Sequence, residues 1–179
     1  MGKIVAVEYL TLDGVMGEPG WSGPYFNDEV ASFQNDNLME ADAMLLGRVT
    51  YEGFAAAWPA MEETTGDFGK KMNAMPKHVA TTTLTTPEWN ATFIEGDVAA
   101  FVTALKQTDA TVLLNGSATL FAYLAAHGLI DEYRFMIYPV IVGEGKRLWP
   151  DGQPTAALAL VTSQITESGV AILTYVPAA

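Results

Sequence analysis

A short buried strand is predicted over residues 43–47, and the residues that end and follow it suit an anionic ligand. Gly47 lets the backbone approach a ligand closely, Arg48 supplies a permanent planar cation, and Thr50 is predicted to cap the next helix. Arg48 is also the only arginine among the first 133 residues. Because the free amides of a helix start favour phosphate, this junction predicts an anion site. The alternative is a surface arginine that pairs with nearby acids.

A second junction of this kind follows the strand predicted over residues 111–114. Gly116 is followed by Ser117, which is predicted to cap a helix, and Thr119 comes next in its first turn. A glycine and a capping hydroxyl suit a phosphate, although an ordinary strand-to-helix turn has the same residues. Since the carboxyl ends of parallel strands meet at one edge of a sheet, two such junctions predict a dinucleotide stretched across that edge.

The end of the first strand and the loop after it supply candidates for contact with a second molecule. Glu8 is the one acid in the predicted first strand, and a buried acid needs a function or a partner, the alternative being an ion pair. Asp13 or Glu8 is predicted to orient a substrate or relay a proton, but an Asp before Gly also stabilises turns. Trp21 and Tyr25 are predicted to stack on a planar ring, and the alternative for Trp21 is a hydrophobic anchor.

The elements that must position these residues form an α/β pattern. Strands and helices alternate over the first two-thirds of the chain, which predicts a mostly parallel central sheet with flanking helices. The last third predicts antiparallel strands, with a C-terminal hairpin that turns at Ser168 and Gly169. Helix N-caps are predicted at Asn27, Asp97 and Ser117, whereas residues 59–76 are predicted to be irregular or weakly helical. No linker interrupts residues 1–179, so one domain is expected.

Composition excludes several classes of function. With 9 basic and 21 acidic residues the net charge is −12, which argues against non-specific nucleic-acid binding and against anionic membranes. The absence of cysteine excludes disulfides, iron–sulfur clusters and a cysteine nucleophile. Two histidines without metal-ligand spacing do not support a zinc site, so no metal is expected. No apolar run approaches the roughly 18 residues of a membrane span, and a cytoplasmic protein is predicted.

Five segments, taken in chain order, resemble the dihydrofolate reductase-like family that includes the reductase domain of riboflavin biosynthesis, the RibD C-terminal domain. They are TLDGV at 11–15, LLGRVTYE at 45–52, NGSATL at 115–120, GLIDEYR at 128–134 and PVIVGEGKRL at 139–148. Together they cover nearly the whole chain and are specific for the superfamily rather than for a substrate. The resemblance implies a dihydrofolate reductase-like fold and, as in riboflavin-type relatives, a homodimer.

The resemblance also implies NADPH as the hydride donor. The residues that match the family's two phosphate-binding motifs are Gly47, Arg48, Thr50, Gly116, Ser117 and Thr119. Thr81 and Thr82 stand where many relatives carry Ser-Arg near the adenosine 2′-phosphate. This chain therefore lacks a cation there, and the preference for NADPH over NADH stays open.

The chain is accordingly expected to be an NAD(P)H-dependent reductase. The implied hydride acceptor is a pyrimidine- or pterin-type heterocycle or its ribosylamino side chain, as in 5-amino-6-(5-phosphoribosylamino)uracil reductase. No deaminase motif is present, so the bifunctional riboflavin enzyme is not expected. Two alternatives stay open: a reductase of another small carbonyl or imine substrate, and a non-catalytic nucleotide-binding protein.

Overall fold

The computed structural model describes all 179 residues. Strands and helices are interspersed up to residue 126, and three strands complete the chain. The strands are β1 (Lys3–Thr11), β2 (Ala43–Gly47), β3 (Lys77–Ala80), β4 (Ala91–Phe93), β5 (Thr111–Leu114), β6 (Glu132–Tyr138), β7 (Leu158–Ile165) and β8 (Ala171–Pro177). The α-helices are α1 (Asp28–Glu40), α2 (Arg48–Thr65), α3 (Asp67–Ala74), α4 (Val98–Leu105) and α5 (Ala118–Ala126), and a 3₁₀ helix spans Pro19–Tyr25. None of these helices is both long and apolar enough to cross a membrane.

All eight strands form one sheet in the order β4-β3-β2-β5-β1-β6-β8-β7. The first six strands of the chain pair in parallel, whereas β8 runs antiparallel to both β6 and β7. The predicted mostly parallel sheet with an antiparallel C-terminal hairpin is therefore confirmed. The connections after β1 and β2 run along the sheet towards β4, whereas the connection after β5 runs in the opposite direction to β6.

The core consists of two apolar layers, one on each face of the sheet. Along β1, Val5 and Val7 contribute to one layer while Ile4 and Ala6 contribute to the other, as the two-residue period of a strand requires. Helices α1, α2 and α3 cover the first face, and α4 and α5 cover the second. The continuous apolar character of β1 and β2 follows from this double coverage.

The helix starts follow the local sequence closely at three of the predicted caps. The side chains of Asn27, Asp97 and Ser117 each accept a hydrogen bond from the backbone N–H three residues further on, which confirms them as N-caps. After α5, Gly128 adopts a left-handed conformation with φ 63°, which ends the helix without the steric cost of a side chain.

Residues 59–76 differ from the sequence-based prediction, because most of them are helical. Helix α2 continues through Pro59 to Thr65, and α3 begins two residues later. Pro59 removes one backbone donor, but Phe54 and Trp58 pack four residues apart on the first core layer and hold the helix there. Gly69 lets α3 lie close to α2, since an added Cβ would be 2.2 Å from the Oγ1 atom of Thr65.

Two further boundaries differ from the prediction. The strand expected over residues 132–142 ends as β6 at Tyr138, because Pro139 has no N–H with which to continue the ladder. The loop expected to carry Trp21 and Tyr25 is instead a 3₁₀ helix.

Candidate functional site

A cleft of about 1100 Å³ opens at the carboxyl ends of β1, β2 and β5. In parallel α/β sheets this is where ligands bind, at the point where connections leave the sheet on opposite faces. Its lining draws on residues from both core layers, and we divide the lining residues into two sets, named the polar lobe and the apolar lobe. The polar lobe is lined by Arg48, Thr50, Ser117, Thr119 and Lys146, and the apolar lobe by Tyr9, Leu38, Phe54, Trp58, Phe68 and Met72.

The starts of α2 and α5 lie side by side at the polar lobe because Gly47 contacts Ser117 directly. A Cβ atom added to Gly47 would be 2.3 Å from the Ser117 Oγ atom and 2.9 Å from its backbone nitrogen. The Gly47 N–H also donates to the Gly116 carbonyl at 3.1 Å. A side chain at position 47 would therefore push the two helix starts apart.

Helix α2 begins three residues earlier than predicted, which changes the role of Thr50. Gly47 is the N-cap and offers no side-chain hydrogen bond, while Thr50 lies within the first helical turn. The first backbone N–H groups of α2 consequently have no capping partner in the chain. Free amides at the positive end of a helix bind an anion without any cationic side chain.

Two cations line the cleft, and both lie in the polar lobe. Arg48 lies in the first turn of α2 and pairs with Glu52 at 2.6 Å, so the local ion pair expected as its alternative is present. Both side chains are nearly half exposed, and such a pair contributes little to stability. Lys146 donates to the Thr119 hydroxyl at 2.7 Å beside the start of α5. Each helix start thus has one cation next to it.

Glu8 lines the cleft and is only 3% exposed. Its Oε1 atom accepts a hydrogen bond from the Gly116 N–H at 2.8 Å, while its Oε2 atom has no partner in the chain. No cation pairs with it, so the ion pair considered from the sequence is wrong. Burial raises the pKa of Glu8 to about 8, and the Gly116 N–H offsets only part of this. The carboxyl group is therefore largely protonated at neutral pH.

Asp13 does not line the cleft. Its carboxylate accepts hydrogen bonds from the Thr11 hydroxyl at 2.6 Å and from the Gly143 N–H at 2.9 Å. These bonds, with the Thr11 hydroxyl foremost, lower the pKa of Asp13 to about 2. A carboxylate that accepts these bonds and stays ionised is a poor proton relay, so its geometry favours a structural role that joins the first loop to residues 142 and 143.

Trp21 and Tyr25 also lie outside the cleft lining. Their rings contact Tyr138, with ring-centroid distances of 5.3 Å and 6.3 Å. The Trp21 indole donates to the Gly17 carbonyl at 3.3 Å. The geometry matches the hydrophobic anchor that was the alternative for Trp21, while Gly17 and the two residues after it form a rim of the cleft.

Thr81 and Thr82 follow β3, and neither lines the cleft, although Ala80 does. The Thr81 hydroxyl accepts hydrogen bonds from the N–H groups of Thr83 and Leu84, at 3.2 Å and 3.1 Å, which stabilises the turn after the strand. These two threonines are therefore placed next to the cleft, at the end of the strand beyond β2.

The structure adds cleft residues that the sequence analysis did not single out. Asn115 lines the polar lobe, and its Oδ1 atom is buried without a hydrogen-bond partner. Its place immediately before Gly116 was the available signal. Lys146 and the whole apolar lobe were also missed, although the four-residue spacing of Phe54 and Trp58 indicates a buried helix face. The structure brings no group of three or more His, Asp or Glu side chains together as metal ligands.

Comparison with known sequences identifies the family of this chain. The sequence model of the RibD C-terminal domain matches residues 3–172. The uncharacterized protein YyaP of Bacillus subtilis (strain 168) is 30% identical over 180 residues, which cover 97% of this chain and 94% of that protein.

Solved structures share the fold at low identity. A Shewanella sp. PV-4 protein provisionally assigned to riboflavin biosynthesis superposes with a TM-score of 0.79 and 17% identity over 99% of both chains. Dihydrofolate reductase from Enterococcus faecalis, complexed with NADP(H), superposes with a TM-score of 0.66 and 14% identity over 98% of this chain and 96% of that one. The dihydrofolate reductase-like fold predicted from the sequence is thereby confirmed.

Proposed function

The chain belongs to the RibD C-terminal domain family, and from that membership we propose that it is an NADPH-dependent reductase. Its reaction adds hydride and a proton across a C=N or C=O bond of a pyrimidine- or pterin-type heterocycle, or of a ribosylamino side chain attached to one. The observation that carries this proposal is the pair of adjoining helix starts in the polar lobe, each with one cation beside it. NADPH, when bound, supplies the hydride.

The residues of the polar lobe fit a dinucleotide cofactor. Gly47 and Gly116 keep the backbone free of side chains where α2 and α5 begin, and the free amides there suit phosphate groups. Arg48 and Lys146 add two positive charges. The buried Oδ1 atom of Asn115 lacks a donor, which an amide or hydroxyl group of a bound cofactor would supply.

We assign Glu8 as the residue that donates the proton in this reaction. It lines the cleft, its Oε1 atom is occupied by the Gly116 N–H, and a carboxyl group with a pKa near 8 carries its proton at neutral pH. The proton therefore belongs on Oε2, the oxygen without a partner in the chain. From this atom Glu8 protonates the nitrogen or oxygen of the reduced bond, as a general acid does.

The other residues predicted from the sequence receive supporting roles in this proposal. Asp13 holds residues 142 and 143 against the first loop, and Trp21 and Tyr25 anchor the 3₁₀ helix whose start forms the rim of the cleft. Thr81 and Thr82 border the adenosine end of the cofactor, where no cation lies beside them.

We also propose that the protein is a homodimer, joined through β7. This strand forms one edge of the sheet and nearly all of it is exposed. Leu160, Val161 and Ile165 are 55%, 56% and 68% exposed, which is unusual for apolar residues on an unpaired sheet edge. A second copy of the chain would cover them.

The decisive experiment is titration of NADPH, followed by its fluorescence, against the wild type and an Arg48→Ala variant. Removing one charge-assisted contact is expected to weaken NADPH binding about tenfold, with little change in the unfolding temperature because Arg48 is half exposed. Glu52→Gln is expected to tighten binding, since it frees Arg48 from its ion pair and removes a negative charge next to the polar lobe. Lys70→Ala is the matched control, because Lys70 is an exposed cation outside the cleft.

Two results would count against the proposal. Unchanged affinity in Arg48→Ala would remove the α2 junction from the cofactor site. Absence of NADPH binding to the wild type at millimolar cofactor would remove the reductase function altogether.

A further inference from the structure

The apolar lobe contains no charged side chain. The charged residues that line the cleft are Glu8, Glu18, Arg48 and Lys146, and none of them is among the six residues that define the apolar lobe. The lobe lies against the first core layer, between α1, α2 and α3. Any part of a ligand that enters it loses water without gaining an ionic partner.

The cations of the neighbouring elements do not supply a positive charge to the apolar lobe. On α3, Lys70 pairs with Asp67 at 3.2 Å, and Lys71 lies outside the cleft lining. Lys77 is fully buried, donates to the Asn73 carbonyl at 2.9 Å and lies 3.9 Å from the centre of the Trp89 ring. These contacts hold Lys77 outside the lining of the cleft.

The helix starts around the apolar lobe do not favour an anion either. The first turn of α1 carries Asp28 and Glu29, and that of α3 carries Asp67. These carboxylates compensate the positive ends of their own helices. This arrangement is the opposite of that in the polar lobe, where Arg48 and Lys146 add to the positive field of the helix starts.

The walls of the lobe suit a flat, uncharged ring. Trp58 on α2 and Phe68 on α3 pack against each other with a ring-centroid distance of 5.4 Å and form one aromatic wall, and Phe54 and Leu38 add further apolar surface. The polar groups available are neutral: Gln34 donates to the Tyr9 hydroxyl at 3.0 Å. Aromatic walls with a few neutral hydrogen-bonding groups recognise planar molecules by shape and ring contact.

We propose that the substrate of this chain is an unphosphorylated planar carbonyl or imine compound, whose ring occupies the apolar lobe. A phosphate ester in this lobe would be desolvated without a partner, which is strongly unfavourable. The inference rests on the proposed reductase function, because it reserves the polar lobe for the cofactor. It narrows that function by separating this chain from reductases of phosphoribosylated pyrimidines.

The test uses 1-naphthol and 1-naphthyl phosphate, which differ by a single phosphate group. NADP⁺ is titrated first and then kept at saturation, so that the polar lobe is occupied and no hydride is transferred. Isothermal titration calorimetry is expected to give a dissociation constant for 1-naphthol about tenfold or more below that for 1-naphthyl phosphate. Trp58→Ala is expected to weaken 1-naphthol binding by about tenfold.

Two further variants test where the ring binds and whether an added cation allows a phosphate to bind. Trp149→Ala is the matched control, since Trp149 belongs to a second, smaller apolar pocket near Phe135 and Tyr175 and should leave 1-naphthol affinity unchanged. Phe68→Arg places a cation in the lobe and is expected to improve binding of 1-naphthyl phosphate. Unfolding temperatures of both variants show whether the fold is intact.

The inference is overturned if 1-naphthyl phosphate binds as tightly as 1-naphthol, if 1-naphthol does not bind at millimolar concentration, or if Trp149→Ala rather than Trp58→Ala abolishes its binding. Loss of 1-naphthyl phosphate binding in Lys71→Ala would show that this lysine supplies the charge and would overturn it too. Failure of NADP⁺ to bind contradicts the proposed function instead, and the naphthol pair with Trp58→Ala then still tests the lobe on the free chain.

Discussion

At the scale of single residues, Glu8 is the most informative side chain of the cleft. It is buried in β1 with one backbone N–H for one oxygen and no cation, so folding favours its neutral form. Asp13, five residues further on, has the opposite environment: several donors hold its carboxylate ionised. Two acids close together in the sequence therefore have pKa values shifted in opposite directions, and only the protonated one lines the cleft.

Glu8→Gln tests this assignment through stability. Because the pKa of Glu8 is higher in the folded chain, at about 8, than its ordinary value of 4.5, the stability associated with its proton is fully present below pH 4.5 and is lost as the pH rises to 8. At about 1.4 kcal/mol per pKa unit, this loss is on the order of 5 kcal/mol. Glutamine cannot ionise, so the variant should lack the decline. Urea unfolding at pH 5, 7 and 9 measures both slopes, and equal slopes would contradict the buried, protonated carboxyl.

The same variant tests the proton role in catalysis. Wild-type turnover is expected to fall as the pH rises through about 8, where Glu8 loses its proton. Glu8→Gln is expected to reduce turnover about a hundredfold and to abolish this pH dependence. NADPH affinity serves as the control, because glutamine still accepts the Gly116 N–H. An unchanged pH profile would place the proton donor elsewhere.

At the scale of elements, the site depends on how closely α2 and α5 begin beside each other. The contact between Gly47 and Ser117 joins the β2–α2 and β5–α5 junctions, and Gly116 adds to it with φ 70° and a carbonyl that accepts the Gly47 N–H. Neither helix start alone offers more than an ordinary turn. Their adjacency makes one anion site from two weak ones.

Gly47→Ala tests that adjacency. An added methyl group meets Ser117 at 2.3 Å, so the junctions must separate, which is expected to cost about 1–3 kcal/mol of stability and to weaken NADPH binding. Gly53→Ala in the same helix is the control, because nothing lies within 4 Å of its added Cβ. That change should be neutral or stabilise the chain by up to about 1 kcal/mol. Thermal unfolding and NADPH titration of the pair check both statements, and equal effects would show that the contact is unimportant.

At the scale of the whole molecule, the charge of −12 does not prevent binding of an anionic cofactor, because the relevant field is local. Free helix amides and two cations act at contact distance in the polar lobe, whereas salt screens the surface acids beyond about 8–10 Å. The remaining cations pair elsewhere or lie outside the cleft. The same scarcity of positive charge leaves the apolar lobe without a partner for phosphate.

The exposed β7 edge makes a prediction at this scale. Light scattering coupled to size-exclusion chromatography is expected to show a dimer of the 19.2 kDa chain at micromolar concentration. Val161→Lys with Ile165→Lys should shift the protein to a monomer, because two charges would be buried at the joined edges. Thr162→Lys on the same strand is the control for strand stability. A monomeric wild type would contradict the proposed dimer.

Much of the element pattern could be predicted from the sequence because it depends on nearby residues. Caps such as Asn27 act within three positions, and strand alternation acts within two, so the fold class and both junctions followed from local patterns. The helix through Pro59 could not be predicted in this way. Its stability comes from the packing of Phe54 and Trp58 on the first core layer, whose residues are distant in the sequence. This packing overrides the local preference of proline.

By itself, the sequence determined the parallel α/β order, the two strand-to-helix junctions at residues 47–50 and 116–119 as candidate anion sites, and the scarcity of cations. Only the tertiary structure decided which acid lines the cleft, that Trp21 packs on Tyr138, and that an apolar lobe adjoins the polar one. The physical reason is distance along the chain: Glu8 meets Gly116 across 108 positions and Asp13 meets Gly143 across 130. Burial, and with it pKa and ligand chemistry, is set by such long-range contacts, which no local pattern encodes.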